Sequence, residues 1–231
     1  MSLHQTDIEL IKIQVEVLFT QDENGHLQLI RAGKSTMNTN ENIEVHILEQ
    51  TQDDLDAYGS VPIAFEVRSI LRVNCVGTNG LGGFALNEEE VAFPWIKDYD
   101  YDEGPVRWRR WDISRWGILS AFIEDKRVGG AVVALNTLNM NFLEGRGDHA
   151  ALWDLRVVPQ LRGCGIGKEL LERSLNWARQ RSCVLMQIET QNINVPACKF
   201  YANQGCQLGT VRRFAYIDYP DEVQLIWYKS L

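Results

Sequence analysis

The chain has 231 residues, enough for one large domain or a medium domain with an appendage, and either buries a sizeable core. Its 45% hydrophobic and 23% charged residues are ordinary for a soluble globular protein, and no apolar run approaches the roughly 18 residues that a membrane helix needs. A net charge of -8 argues against nucleic-acid phosphate as the main partner, because such binding draws on clustered Lys and Arg; it suits a cationic substrate.

Met1 to Glu9 is acidic and polar where a secretory signal needs a basic start and an apolar centre, so a cytoplasmic location is expected. The five cysteines form an odd set without CxxC spacing and read as reduced thiols. Apolar and polar residues alternate from Ile8 to Phe19 and again from Leu27 to Ile30, with turn chemistry at Asp22-Glu23-Asn24-Gly25 between them. This pattern predicts an N-terminal β-hairpin, able to extend a neighbouring sheet in a homodimer or to pack on its own domain. Polar residues Gly33 to Asn42 read as a linker, which divides the chain into an extension, 1–41, and a main domain, 42–231.

The main domain opens with a strand from Ile43 to Leu48, and Thr51 with Asp54 three residues on gives a helix-start signal for a segment running to about Arg72. Gly77 to Gly104 reads as a long irregular loop rich in acidic and aromatic residues, among them Glu88-Glu89-Glu90, Trp95, Tyr99 and Tyr101. Such loops are often functional, here as a cover for a cationic amine, though a solvated surface excursion fits equally well. Two strands between Gly117 and Asn136 flank a turn at Glu124 to Arg127, and Leu152 to Val158 forms another. Helical spacing of Ile166, Leu170, Leu171, Ser174, Leu175 and Ala178 predicts an amphipathic helix. A strand from Val184 to Glu189, a short helix from Pro196 to Gln204, and strands at Phe214 to Ile217 and Val223 to Tyr228 complete the pattern.

Between the strand at Leu152 and the amphipathic helix lies Gln160-Leu161-Arg162-Gly163-Cys164-Gly165-Ile166-Gly167-Lys168. Glycines leave backbone N–H groups uncovered, and a following helix adds its positive dipole end, so the stretch suits a diphosphate. A bare strand-turn-helix joint is the bland alternative. A Walker P-loop needs four residues between its glycines, and a Rossmann fingerprint needs glycine where Lys168 stands, so neither fits.

Gln160, Gly163 and Gly165 match the signature of the GCN5-related N-acetyltransferase (GNAT) superfamily, Gln or Arg, two residues, Gly, one residue, then Gly or Ala. A second segment, Asn194-Val195-Pro196-Ala197-Cys198-Lys199-Phe200-Tyr201-Ala202-Asn203-Gln204-Gly205-Cys206, resembles that superfamily's Asn, Ala, Phe-Tyr, Gly-Phe pattern, with Cys206 in place of Phe. Trp153 to Val157, Ile188 to Gln191, Pro94 to Lys97 and Ile226 to Tyr228 look like the streptothricin acetyltransferase branch, whereas Leu138 to Asp148 departs from it, so the drug substrate does not carry over.

The resemblance implies an α/β (α+β) GNAT fold: a mixed central sheet with splayed parallel strands and flanking helices, here with the hairpin extension added. It implies acetyl-CoA as cosubstrate without a metal, and acetyl transfer to a primary amine of a small molecule. A protein or peptide acceptor, or a catalytically silent CoA-binding module, stays open. Leu155 and Val157 would bond the pantetheine as though it were another strand, and Gln160, Arg162, Gly163, Cys164, Gly165, Ile166, Gly167 and Lys168 would hold the pyrophosphate. Asn194 matches a pantetheine contact and is equally a favoured N-cap. Glu189 stands where some members carry a general base, acting here through water, with Asp154 as the other candidate. Each carboxylate also fits as a solvated strand-end residue or an ion-pair partner. Tyr201 aligns with the general acid and with a cofactor contact, and also fits as a core aromatic on the helix face with Ala197 and Phe200, while Trp95, Tyr99 and Tyr101 are the acceptor-side candidates.

Overall fold

The computed structural model describes residues 44–231 apart from 136, 138–142 and 144, together with the backbone of the short N-terminal strands at 11–12, 17–21 and 27–32. In chain order the strands are β1 (Ile11–Lys12), β2 (Val17–Gln21), β3 (Leu27–Ala32), β4 (Glu44–Gln50), β5 (Phe65–Cys75), β6 (Phe84–Lys97), β7 (Gly117–Ile123), β8 (Lys126–Ala134), β9 (His149–Val157), β10 (Leu185–Gln191), β11 (Gln207–Arg212) and β12 (Gln224–Ser230). The helices are α1 (Leu55–Tyr58), α2 (Asp100–Glu103), α3 (Ile166–Arg179) and α4 (Val195–Asn203). Eight strands form one sheet in the order β1-β4-β7-β8-β9-β10-β12-β11, all antiparallel except the central β9–β10 pair.

Local chemistry accounts for the elements that the sequence pattern predicts. Ile166, Leu170, Leu171, Leu175 and Ala178 are buried on one side of α3, which lays this stripe on the sheet. Asn194 caps α4 by accepting a hydrogen bond from the Ala197 amide at 3.2 Å, Pro196 sits in the first turn, and Gly205 leaves the helix with φ +72°. Cys206, in the position where the superfamily pattern has Phe, is buried in the core beside them. The opposite face of the sheet carries α1 and the segment Pro105 to Trp116, whose Trp108 and Trp116 are buried with Tyr58, Leu55 and Leu143. Two cores thus clasp the sheet.

Three expectations are corrected. The Thr51–Asp54 capping box forms, but it launches only a 3-10 turn and the four residues of α1, because Gly59 and Pro62 interrupt the run and β5 begins at Phe65. The segment from Gly77 to Gly104 is mostly ordered: β5 and β6 form a long antiparallel hairpin joined by a glycine-rich turn with φ values of +71°, +90° and +90° at Gly77, Gly80 and Gly83. Pro94 lies in the four-residue stretch of β6 that drops out of register between Glu90 and Trp95, where a missing N–H does no harm. Phe214 to Ile217 is not a strand; the edge of the sheet is β11 instead.

β2 and β3 pair antiparallel, while 22–26 and the polar stretch 33–42 lie outside the described residues, as does most of Leu138 to Asp148. Among the described residues no helix is long and apolar enough to cross a membrane.

One glycine of the sheet is dictated by packing. A Cβ on Gly130 in β8 would sit 2.3 Å from Tyr58 Cε2 and 2.8 Å from the Leu119 carbonyl oxygen. We expect Gly130→Ala to destabilise the fold by about 1–3 kcal/mol. Urea denaturation checks this, with a lower midpoint and an unchanged slope; an unchanged midpoint contradicts the packing.

Candidate active site

The site grows out of the single parallel pair. β9 and β10 are in register only from Leu185–His149 to Ile188–Leu152. Trp153, the next residue of β9, is a bulge: the β8 partner steps from Val133, opposite Leu152, to Val132, opposite Asp154. From there β9 stays on β8, β10 stays on β12, and the two part. The Val158 amide bonds the Val128 carbonyl of β8 at 2.9 Å, so strand alternation turns the Leu155 and Val157 amides to the open edge.

β9 runs into the glycine stretch. Gly163 and Gly165 adopt φ +84° and +94°, conformations that favour glycine, and a Cβ on Gly163 would meet nothing within 4 Å. The first backbone-bonded amide of α3 is that of Glu169, to Gly165 at 3.1 Å. The amides of Gly163, Gly165, Ile166, Gly167 and Lys168 have no backbone partner among the described residues and converge at a helix N-terminus. Such a cradle fits a diphosphate. Arg162 braces it: Nε donates to the Val157 carbonyl at 3.0 Å and Nη2 to the Ala64 and Pro62 carbonyls at 3.1 and 3.2 Å.

A cavity of about 980 Å³ connects this cradle to the parted strands and to the far wall. Leu155, Val157, Arg162, Gly163, Gly165, Gly167, Lys168, Asn194, Tyr201, Glu189, Asp154 and Tyr99 all line it. Gln160 is exposed on the preceding turn, Cys164 is half-buried against the core, and the Ile166 side chain is fully buried. Trp95 borders a separate hollow with Asp218 and Asp221, and Tyr101 is 80% exposed, so of the three acceptor-side aromatics only Tyr99 reaches the cavity.

Two hydrogen-bonded clusters organise the walls. In the first, Arg156 is buried and grips two carboxylates in bidentate fashion, Asp154 at 2.8 Å through both nitrogens and Asp100 at 2.9 and 3.0 Å. Its Nη1 also donates to the Val61 carbonyl, and the buried Tyr58 hydroxyl donates to Asp154. Asp154 therefore has both oxygens taken by fixed donors and is ion-paired with Arg156.

The second cluster surrounds Glu189 at the end of β10. Tyr216 donates to Glu189 Oε1 at 2.5 Å and Gln224 donates to Oε2 at 2.8 Å. Gln191 donates to the Tyr216 oxygen at 2.9 Å and accepts from the Tyr99 hydroxyl. Burial pushes the Glu189 carboxyl above its ordinary range, against the lowering effect of the Tyr216, Gln224 and Gln191 hydrogen bonds. Burial likewise holds the Tyr201 phenol above its usual range, so it carries its proton at neutral pH.

The far wall is aromatic and acidic. Trp111 and Trp153 meet edge to face at 5.1 Å, and both line the cavity with Trp108. Lys97 pairs with Glu222 at 2.6 Å and lies 3.5 Å from the Tyr219 ring centroid, and Glu103 pairs with Arg110 at 2.7 Å. Asp102 accepts from the Tyr219 hydroxyl, whose pKa this bond pushes up to about 12. Among the described residues, Asp102 and Glu189 are cavity carboxylates with no cation at ion-pair distance.

Sequence reading missed Tyr58, Arg156, Gln191, Tyr216 and Gln224. A charged residue inside the apolar run Leu152 to Val158 was a signal for Arg156. Tyr216 and Gln224 gave none, because only the fold brings them to Glu189.

Comparison with known proteins bears on this geometry. The profile of the Acetyltransferase (GNAT) family matches residues 85–206. A streptothricin acetyltransferase of Escherichia coli is 32% identical over 186 residues, covering 79% of this chain and 92% of that protein. Streptothricin acetyltransferase A of Bacillus subtilis strain 168 is 26% identical over 152 residues, 64% of this chain and 80% of its own length. A crystal structure described as a streptothricin acetyltransferase of Bacillus anthracis strain Ames, solved with acetyl coenzyme A, is 25% identical with a TM-score of 0.64 over 81% of this chain and 99% of that one. With the parted parallel strands and the glycine cradle between them, these matches show that the chain belongs to the GNAT family of acetyl-CoA-dependent N-acetyltransferases, in the branch of the streptothricin acetyltransferases.

Proposed function

We propose that the protein acetylates a primary amine on a small cationic, antibiotic-like molecule, with Glu189 as general base and Tyr201 as general acid. The observation that carries this reading is a single cavity in which the cradle, the open β9 edge, Glu189, Tyr201 and an acidic aromatic wall all meet. The relatives named for streptothricin support a small-molecule acceptor. Acetyl-CoA supplies the acetyl group as a thioester.

The chain's own groups supply the rest. Leu155 and Val157 offer strand-edge amides to the pantetheine arm, and the amides from Gly163 to Lys168 offer converging donors to the pyrophosphate, with Gln160 and Cys164 shaping the turn. Asn194 lines the cavity, with its Oδ1 occupied by the helix cap and its amide nitrogen facing the Tyr99 phenol oxygen. A lysine-like amine is neutral in only roughly one molecule in a few thousand at pH 7, so a base that takes its proton speeds attack. Glu189 suits that task better than Asp154, because burial has raised its affinity for a proton and, among the described residues, no cation stands at ion-pair distance from it, Arg212 acting only from farther away. Tyr201 holds a proton at its hydroxyl for the departing thiolate.

The wall is suited to holding a cation. Asp102, Tyr99, Trp111 and Trp153 combine one unpaired carboxylate with ring faces.

Two measurements test these roles. A base with a raised carboxyl pKa is competent only above that pKa, so kcat/KM falls toward acid with a limb above the usual glutamate value of about 4.3. Glu189→Gln is expected to lower kcat by about 10²- to 10⁴-fold and to abolish that limb; a pH profile that keeps both height and limb contradicts the assignment. For the acceptor, Asp102→Asn is expected to raise KM for a cationic amine by about two- to fivefold, the range of an exposed charge contact. Calorimetry should show unchanged acetyl-CoA affinity, and an unchanged KM removes Asp102 from the acceptor site.

A further inference from the structure

Glu189 is enclosed by protein donors. Its Oε1 accepts from Tyr216 at 2.5 Å and from Gln191 at 3.4 Å, and its Oε2 accepts from Gln224 at 2.8 Å. The surrounding hydrogen bonds have a fixed polarity. Because Gln191 Oε1 accepts from the Tyr99 hydroxyl, its NH₂ group must face Tyr216 and donate to the phenol oxygen. With that acceptor position filled, the Tyr216 hydroxyl has one place to send its proton, toward Glu189. A phenol oxygen has two lone pairs; Gln191 uses one, and the other has no donor among the described residues. Tyr216 lines the cavity beside Tyr99 and Glu189.

From this arrangement we propose that Tyr216, rather than a water molecule, relays the acceptor's proton to Glu189, an inference that rests on Glu189 being the base. The amine enters neutral, its ammonium proton already lost to solvent; as it attacks, the free lone pair of Tyr216 takes one N–H proton while the hydroxyl proton of Tyr216 passes to Glu189 Oε1. Nitrogen bonds to the acetyl carbon, the carbon–sulfur bond opens, and the Tyr201 proton goes to the thiolate. Tyr216 begins and ends as a neutral phenol; Glu189 gains one proton, Tyr201 loses one, and exchange with solvent restores both. Burial and the neighbouring Glu189 charge keep the Tyr216 phenol far above its ordinary range, which suits a group that passes a proton on without ionising.

The test is Tyr216→Phe, which removes one oxygen and keeps the ring, compared with Glu189→Gln and the unaltered enzyme over a full pH range. If Tyr216 merely tunes Glu189, its loss moves the acidic limb upward and the alkaline plateau of kcat is recovered. If it relays the proton, the limb moves and the plateau itself falls by about a hundredfold. In the substrate-free protein, ¹³C NMR of the Glu189 carboxyl should show its titration midpoint raised by the same substitution, reporting the lost donor independently of turnover. A recovered plateau, or a midpoint that does not move, overturns the relay while leaving Glu189 as base. A limb that survives Glu189→Gln overturns the base assignment itself.

Discussion

Beyond the Leu152–Ile188 rung, β9 and β10 stop sharing hydrogen bonds, and the rest of the site depends on that parting. A parallel pair in the middle of a sheet normally has every backbone group satisfied, so opening it leaves donors and acceptors that need a partner. The Trp153 bulge starts the divergence, and neighbours on the outer sides hold it: β8 keeps β9 as far as Val157, and β12 keeps β10 as far as Gln191. The gap is therefore a fixed feature of the sheet. On the proposed reading it lets a strand-like ligand arm and a diphosphate sit side by side, since the same strand that offers the edge runs directly into the cradle.

The electrostatics of the cavity follow from burial. Arg156, 2% exposed, would be costly to hold without its partners, and it has two carboxylates, one carbonyl and the Tyr58 ring around it. One of those carboxylates, Asp100, belongs to the one-turn helix α2, too short to hold itself in place. Arg156 thus fastens the segment bearing Tyr99 and Asp102 to the sheet. Buried Asn192 ties β5 to the turn after β10 and the start of β12, bonding the Leu71 backbone in both directions and accepting from the Val223 amide. The far wall of the cavity is built from distant parts of the chain, and the Arg156–Asp100 pair anchors the part that carries Tyr99 and Asp102.

What the sequence revealed and what it hid divide along physical lines. The glycine cradle, α3 and the Asn194 cap of α4 were legible because each is a local signal: positive φ, a 3.6-residue stripe, a capping side chain. The β5–β6 hairpin was not. Glu88-Glu89-Glu90 reads as solvated loop, yet in the structure Glu88 meets Ser69 and Lys199 and Glu89 meets Arg72, so cross-strand partners explain charges that look like a surface excursion. Composition groups Trp95 and Tyr101 with Tyr99, but Trp95 borders a separate hollow and Tyr101 is exposed to solvent. Tyr216, Gln191 and Gln224 come from three separate segments and share no local pattern; only the fold makes them neighbours of Glu189.

The central claim is that acetyl-CoA completes the sheet at the open edge of β9 and closes the glycine cradle. Amide hydrogen exchange with and without acetyl-CoA tests it most directly. The account predicts slowed exchange concentrated at Leu155, Val157 and Gly163 to Lys168, with the β5–β6 hairpin unchanged. Protection that is missing from those amides, or confined to other parts of the chain, would contradict it.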